Sequence, residues 1–201
     1  WHDPISKRNL GTLLEPPRAQ LVNSSRPLVS TVKAATVTAD TTTQTPFGLG
    51  GTRLVDNTTL AVHGFDLFFG GVNRAAAIPD GAVVSVQMTF APIGGQSRGT
   101  FYCQLKTGAY KTVEFTVAGG DPTIISHGVD SARISRDTDG FYRLEFTVNY
   151  GAGTSGGAVN LSLIRDDGVR TYAGDGTRGF LIAHFGAEIG PECTSPILSA
   201  N

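Results

Sequence analysis

The 201-residue chain predicts an all-β fold, a sandwich or barrel of about eight or more antiparallel strands with helix well below the usual share. Three observations predict it. Apolar and polar residues alternate with a period of two along most of the chain. The 26 glycines gather mostly between those alternating runs. No stretch keeps a helical period for long, and the longest candidate, Val72 to Ile78, is interrupted by Pro79. Hydrophobic residues make up 40% of the chain and charged residues 16%, enough to close one core. All-β sandwiches of this length commonly form a single domain.

The elements follow in order. Residues 1–30 are broken by Pro4, Pro16, Pro17 and Pro27, and only Leu10 to Leu14 is apolar enough to pack. They read as an extended lead-in from an upstream stalk, partly ordered by docking on a sandwich that occupies residues 31–201. The chain starts at Trp1-His2-Asp3 with no leader pattern, and reads as a piece of a longer protein. The threonine-rich run Thr36 to Thr45 is a strand or a loop. From Val84 to Phe90 the even positions are apolar, which turns Ser85, Gln87 and Thr89 outward. Phe101, Cys103 and Leu105 face inward, then Val113, Phe115 and Val117 across a Lys106–Ala109 turn. The inward face of the next long strand is Tyr142, Leu144, Phe146, Val148 and Tyr150, followed by Val159, Leu161 and Leu163. A closing strand presents Leu181, Ala183, Phe185, Ala187 and Ile189 on one face and His184 on the other. Between the strands lie Asp80-Gly81, Gly94-Gly95, Gly119 to Pro122, Asp139-Gly140, Gly151 to Gly157, Asp167-Gly168 and Asp175-Gly176, the residues that turns require.

Bulk properties exclude several functions. A net charge of −1 leaves no clustered Lys and Arg for nucleic acid or an anionic membrane. Arg165, Arg170 and Arg178 alternate with Asp166, Asp167 and Asp175, which reads as a solvated turn surface. No run of about 18 apolar residues exists to span a membrane as a helix. His2, His63, His127 and His184 have no metal-ligand spacing to each other or to Cys and carboxylates, so no metal site is expected. His184 reads as a solvent-facing or hydrogen-bonded structural histidine. Asp137-Thr-Asp139-Gly140 and Asp166-Asp167-Gly168 lack the later ligands of a calcium loop and read as turns. The mid-strand carboxylates Glu114, Glu145 and Glu188 are each isolated, and Glu145 beside Arg143 suggests a surface ion pair. No nucleophile has a visible base, and no helix follows Gly174 to Gly179 to make it a phosphate cradle. The expectation is a non-enzyme with no catalytic residues and no cofactor.

A sugar-binding surface asks for less: one or two exposed aromatic faces with amide or carboxylate neighbours. With Phe101, Cys103 and Leu105 inward, Tyr102 and Gln104 face outward, and Tyr110, Thr112 and Glu114 do so on the next strand. Tyr102, Gln104 and Tyr110 are therefore the candidate carbohydrate-binding residues. The competing use of the same residues is cross-strand aromatic pairing on an idle sheet face, or burial at a subunit interface.

Four segments carry a resemblance. They are Thr12-Leu-Leu-Glu-Pro-Pro-Arg-Ala-Gln-Leu21, Thr45-Pro-Phe-Gly48, Asp139-Gly-Phe-Tyr-Arg-Leu-Glu-Phe146 and the closing Tyr172 to Gly190. In order and spacing they resemble the C-terminal lectin-like jelly-roll module of bacteriophage tail-fibre and receptor-binding proteins. Gln20, Phe141, Phe185 and Glu188 depart from the residues usual there (Asn, Trp, Trp and Gln), and the family's ending survives only as Thr194-Ser-Pro-Ile197. The resemblance implies an antiparallel jelly-roll sandwich of the concanavalin A-like or carbohydrate-binding-module type. It implies host surface polysaccharide, lipopolysaccharide or capsule, as ligand, and further copies of the fibre subunit, as a homotrimer, as partners. It also implies a place on the virion, extracellular after release. Assembly in a reducing cytosol would leave Cys103 and Cys193 as free thiols. Two other uses fit the same fold: a structural or trimerisation module of the fibre, and a carbohydrate-binding accessory domain of a polysaccharide-degrading enzyme.

Overall fold

The computed structural model describes residues 20–24, 29–68, 78–154 and 158–193. It is a jelly-roll β-sandwich. Fifteen strands follow one another: β1 (Gln20–Ser24), β2 (Val29–Lys33), β3 (Ala35–Thr45), β4 (Gly48–Asp56), β5 (Leu60–Val62), β6 (Gly64–Phe68), β7 (Val83–Ile93), β8 (Arg98–Gln104), β9 (Tyr110–Thr116), β10 (Thr123–His127), β11 (Ser131–Arg136), β12 (Tyr142–Asn149), β13 (Ala158–Ile164), β14 (Thr171–Ala173) and β15 (Gly179–Ile189). A seven-stranded sheet runs β11-β12-β7-β15-β4-β3, with β1 also paired to β15; a six-stranded sheet runs β10-β9-β8-β13-β6-β2; β14 and β5 form a small ribbon. Of the predicted lead-in, residues 1–19 and 25–28 lie outside the described residues, whereas β1 and β2 join one sheet each. The 72–77 part of the candidate helix also lies outside them.

Between the sheets sits a core in which aromatic rings interlock. Phe90 from β7 meets Phe180 from β15 edge-on at 5.0 Å and Phe115 from β9 at 5.2 Å; Phe101 from β8 meets Phe146 from β12 at 5.5 Å. Such offset contacts add specific geometry to a large burial of apolar area. The inward faces expected for β8, β9, β12 and β13 are all buried here. The run Thr36 to Thr45 is a strand with a bulge between Asp40 and Gln44. Asp40 Oδ1 accepts the Thr42 and Thr43 N–H groups at 2.9 and 2.8 Å, which absorbs the unpaired backbone and holds this carboxyl far below the usual range.

Two expectations about sheet faces need correction. Along β15 the alternation does not run unbroken, because a bulge falls between Ile182 and His184. Phe180 and Ile182 therefore share the core with Phe185 and Ala187, while Leu181 and Ala183 pass to the outer face with Phe141 and Phe47. A single inserted residue shifts the parity of everything before it. The second correction concerns Ser85, Gln87 and Thr89. They do point away from the core, yet all three are buried. Residues from the β3–β4 turn and the segment after β15 lie over them: Phe47 packs on His184 at 5.1 Å, and Ser85 Oγ donates to the Glu192 carbonyl at 2.8 Å.

Close approach explains one glycine of the closing segment. A Cβ on Gly179 would lie 1.8 Å from the Leu54 carbonyl oxygen, so β15 can pair with β4 only through glycine there. A Cβ on Gly186 would meet side chains instead, 3.0 Å from His184 and 3.1 Å from Gln87. Cys103 lies in the core and Cys193 against the outer face of the seven-stranded sheet; both are free thiols, and burial pushes the Cys193 thiol up to about 12.

Candidate functional site

The β8–β9 hairpin folds as its alternation dictates. Leu105 N–H donates to the Ala109 carbonyl at 2.8 Å and Gly108 N–H to the Leu105 carbonyl at 2.9 Å, with Gly108 at φ 85° closing the turn. With Phe101 and Cys103 fully buried, Tyr102 and Gln104 project from the other side of β8. Gln104 is the cross-strand partner of Tyr110, and Tyr102 that of Thr112. The structure therefore brings Tyr102, Gln104 and Tyr110 onto one outer face of the six-stranded sheet. The same row continues from Tyr102 to Asn160 on β13 and Asp66 on β6. The row beside it runs from Glu114 to Thr100, Ser162 and Gly64, the last three small residues that keep that part of the strip low.

The three tyrosine-hairpin residues are not equivalent. Tyr110 is 57% exposed, an open aromatic face. Tyr102 is half-buried and its ring is covered: the Arg170 guanidinium carbon sits 5.5 Å from the ring centroid and Arg170 Nη1 donates to the Tyr102 hydroxyl. A guanidinium over an aromatic face is held by the ring quadrupole. Tyr102 thus supports Arg170, and Tyr110 carries the open ring. Arg170 also donates from Nη2 to Glu114 Oε2 at 2.7 Å, and Arg98 donates from Nε to Glu114 Oε1 at 2.8 Å. Glu114 is not isolated, as the strand pattern suggested; its carboxylate lies between two guanidiniums, 7% exposed.

Arg170 reaches this face because the β13–β14 connection folds back over it. Arg165 N–H donates to the Val169 carbonyl at 3.0 Å, Gly168 sits at φ 89°, and Ser97 Oγ donates to Asp166 Oδ1 at 2.5 Å. A Cβ on Gly168 would lie 3.3 Å from the Arg98 guanidinium, so glycine also lets the connection settle against that side chain. The arginines of this segment are therefore partnered rather than merely solvated. Arg165 pairs with Asp167, and Arg178 with Asp166 at 3.5 Å. Asn160 could have been placed on the face from its alternation with Val159 and Leu161. Arg170 could not, since nothing local in a turn sequence says where a long side chain lands.

Two concave regions lie elsewhere. A depression of about 370 Å³ lies beside the Asp175-Gly176 turn, lined by Asp56, Tyr172, Asp166 and Arg178 among others. There Asp56 Oδ1 accepts the Gly176 N–H at 3.0 Å and Asp175 Oδ1 the Thr177 N–H at 2.8 Å. A second depression, about 410 Å³, lies between Arg133, Glu145 and Thr147 and the segment 191–193. There Glu145 is held by Arg133 and by Arg143, the latter at 2.8 Å, an ion pair with a buried rather than a surface carboxylate. His184, 2% exposed, is buried rather than solvent-facing, and loss of hydration drives its pKa down to about 4, helped by the Arg143 charge. His63 is buried as well, with its ring nitrogens against the Ala34 and Tyr172 carbonyls, the latter at 2.8 Å. Among the described residues no group of three His, Cys, Asp or Glu side chains is placed to hold a metal ion, and no helix is long and apolar enough to cross a membrane.

No family model matches the chain, and no curated protein does. Among solved structures, a similar one is the CBM22-1 xylan-binding domain of Xyn10C from Paenibacillus barcinonensis. It is 14% identical, with a TM-score of 0.46 over 86% of this chain and 95% of that domain.

Proposed function

We propose that this chain is a non-catalytic carbohydrate-recognition module that holds a surface polysaccharide across the outer face of its six-stranded sheet. The observation that carries the reading is the open ring of Tyr110 beside Gln104, on a rigid sheet, with Asn160 and the Arg170 guanidinium completing a polar surround. A sugar offers an apolar C–H face and a rim of hydroxyls. An exposed aromatic takes the first, and amide and guanidinium groups take the second. The mid-strand carboxylates Glu114 and Glu145 lie on different sheets and have their oxygens engaged by guanidiniums, which favours binding over catalysis.

The four tail-fibre-like segments support a place for this module at the receptor-binding end of a phage fibre, facing host lipopolysaccharide or capsule. A shallow site of this kind binds weakly, with dissociation constants on the order of millimolar to micromolar. Repetition of the module around a homotrimer would raise that to a useful avidity. The test is an array of bacterial surface polysaccharides probed with the protein and with Tyr110→Ala. Binding by the parent chain, lost in Tyr110→Ala at an unchanged melting temperature, supports the reading. Equal binding by both, or a change of oligomeric state in Tyr110→Ala, moves the residue to scaffold or to an interface between copies.

A further inference from the structure

We infer that the polysaccharide taken by this face is an acidic one, with a carboxylate or phosphate substituent received by Arg170. The inference rests on the proposed site and goes further by fixing its ligand class. Its ground is the arrangement of charge. Arg98 and Arg170 share the single carboxylate of Glu114, and across the sheet Lys33 and Asp66 pair at 3.0 Å. Among the described residues the face therefore carries three cations, Arg98, Arg170 and Lys33, against two carboxylates, Glu114 and Asp66, in a chain whose net charge is −1.

Beyond the face, Asp56 and Asp175 accept backbone N–H groups of the Asp175–Gly176 turn in a separate depression. Asp166 and Asp167 are matched by Arg178 and Arg165. The surplus is also positioned. Arg170 has a 41% exposed side chain, and only one N–H of each terminal nitrogen is used by Tyr102 and Glu114. A guanidinium has five N–H donors in a fixed plane, so a fork remains for an incoming anion. Tyr102 and Glu114 hold that plane in place before any ligand arrives, which removes much of the ordering cost that a free arginine would bring. Arg98 is more covered, at 23% side-chain exposure, and supplies field rather than contact. With Tyr110 open on the next strand, the pattern fits a sugar ring stacked on Tyr110 whose acidic substituent reaches Arg170.

The same polysaccharide array tests this when it pairs uronate-, pyruvate- or phosphate-bearing polymers with neutral ones. Each acidic hit is then re-tested after carboxyl reduction or dephosphorylation. Expected are hits confined to acidic polymers, and loss of binding on neutralisation of the polymer. Arg170→Gln should weaken the interaction at least tenfold, the scale of one charge-assisted hydrogen-bonded pair. The chemically neutralised polymer needs no protein variant and so stands even if a variant misfolds. Hits among neutral polymers that depend on Tyr110 but not on Arg170 would overturn the acidic assignment and leave the binding face intact. Hits indifferent to Tyr110, or no hits at all, would overturn the binding face and the acidic assignment with it.

Discussion

The outer faces of the two sheets are built from the same alternation and end up covered to different extents. On the seven-stranded sheet, Ser85, Gln87, Thr89, Glu145 and His184 point away from the core and are nonetheless buried, under Phe47 and the segment that follows β15. On the six-stranded sheet, Tyr110 stands open and Gln104 and Asn160 are half-buried, while the neighbouring row of Thr100, Glu114 and Ser162 is buried where the β13–β14 connection brings Arg170 over the face. A period of two says which residues leave the core; it is silent on what lies above them. The open patch around Tyr110 is where the proposed ligand would sit, whereas the polar row of the seven-stranded sheet is packed over.

The largest expected effect lies in the core that both faces share. Phe185→Ala should lower unfolding free energy by about 3–5 kcal/mol in a chemical denaturation experiment, because the ring is fully buried beneath the bulged strand. A loss under about 1 kcal/mol would mean that the register of β15 differs by one residue.

Acid should act on the covered face next. The unfolded chain protonates its histidine near the ordinary value of 6.5, but His184 in the folded protein resists until about 4. Within that window the unfolded state holds more protons, so stability falls as pH drops from about 6.5 to about 4. The contribution is at most about 3 kcal/mol. His184→Gln should flatten this part of the stability profile, and an unchanged slope would contradict it. Phe47→Ala sharpens the same point at smaller cost. By admitting water above the imidazole it should move the His184 titration upward, read from its ring proton shifts in NMR.

The open face should behave in the contrary way. Tyr110→Ala should change stability by no more than about 0.5 kcal/mol by thermal melting, since its ring has little to lose on the protein side. A drop above about 2 kcal/mol would show that the ring is packed rather than available.

These contrasts mark what the residues alone revealed. The hairpin bearing Tyr102, Gln104 and Tyr110 was legible, because Phe101, Cys103, Val113 and Phe115 fix its parity through a short turn. The bulge at β15 was not, since Leu181 and Ala183 are apolar enough to suit either face and only pairing with β7 decides. Nor was the Arg170–Glu114–Arg98 cluster, which joins residues 98, 114 and 170 through a connection whose path depends on Gly168 and Ser97. Short-range pattern places side chains on faces; long-range folding decides which neighbours cover or charge them.

The most direct measurement of the central claim is an NMR titration of the isotope-labelled protein with oligosaccharides cut from a polysaccharide that it binds. The account predicts that backbone and side-chain signals of Gln104, Tyr110, Thr112 and Asn160 shift together, with those of Arg170, while Gln87, Thr89 and His184 stay in place. Largest shifts on that second set, or around the Asp175–Gly176 turn with Tyr110 unmoved, would contradict it.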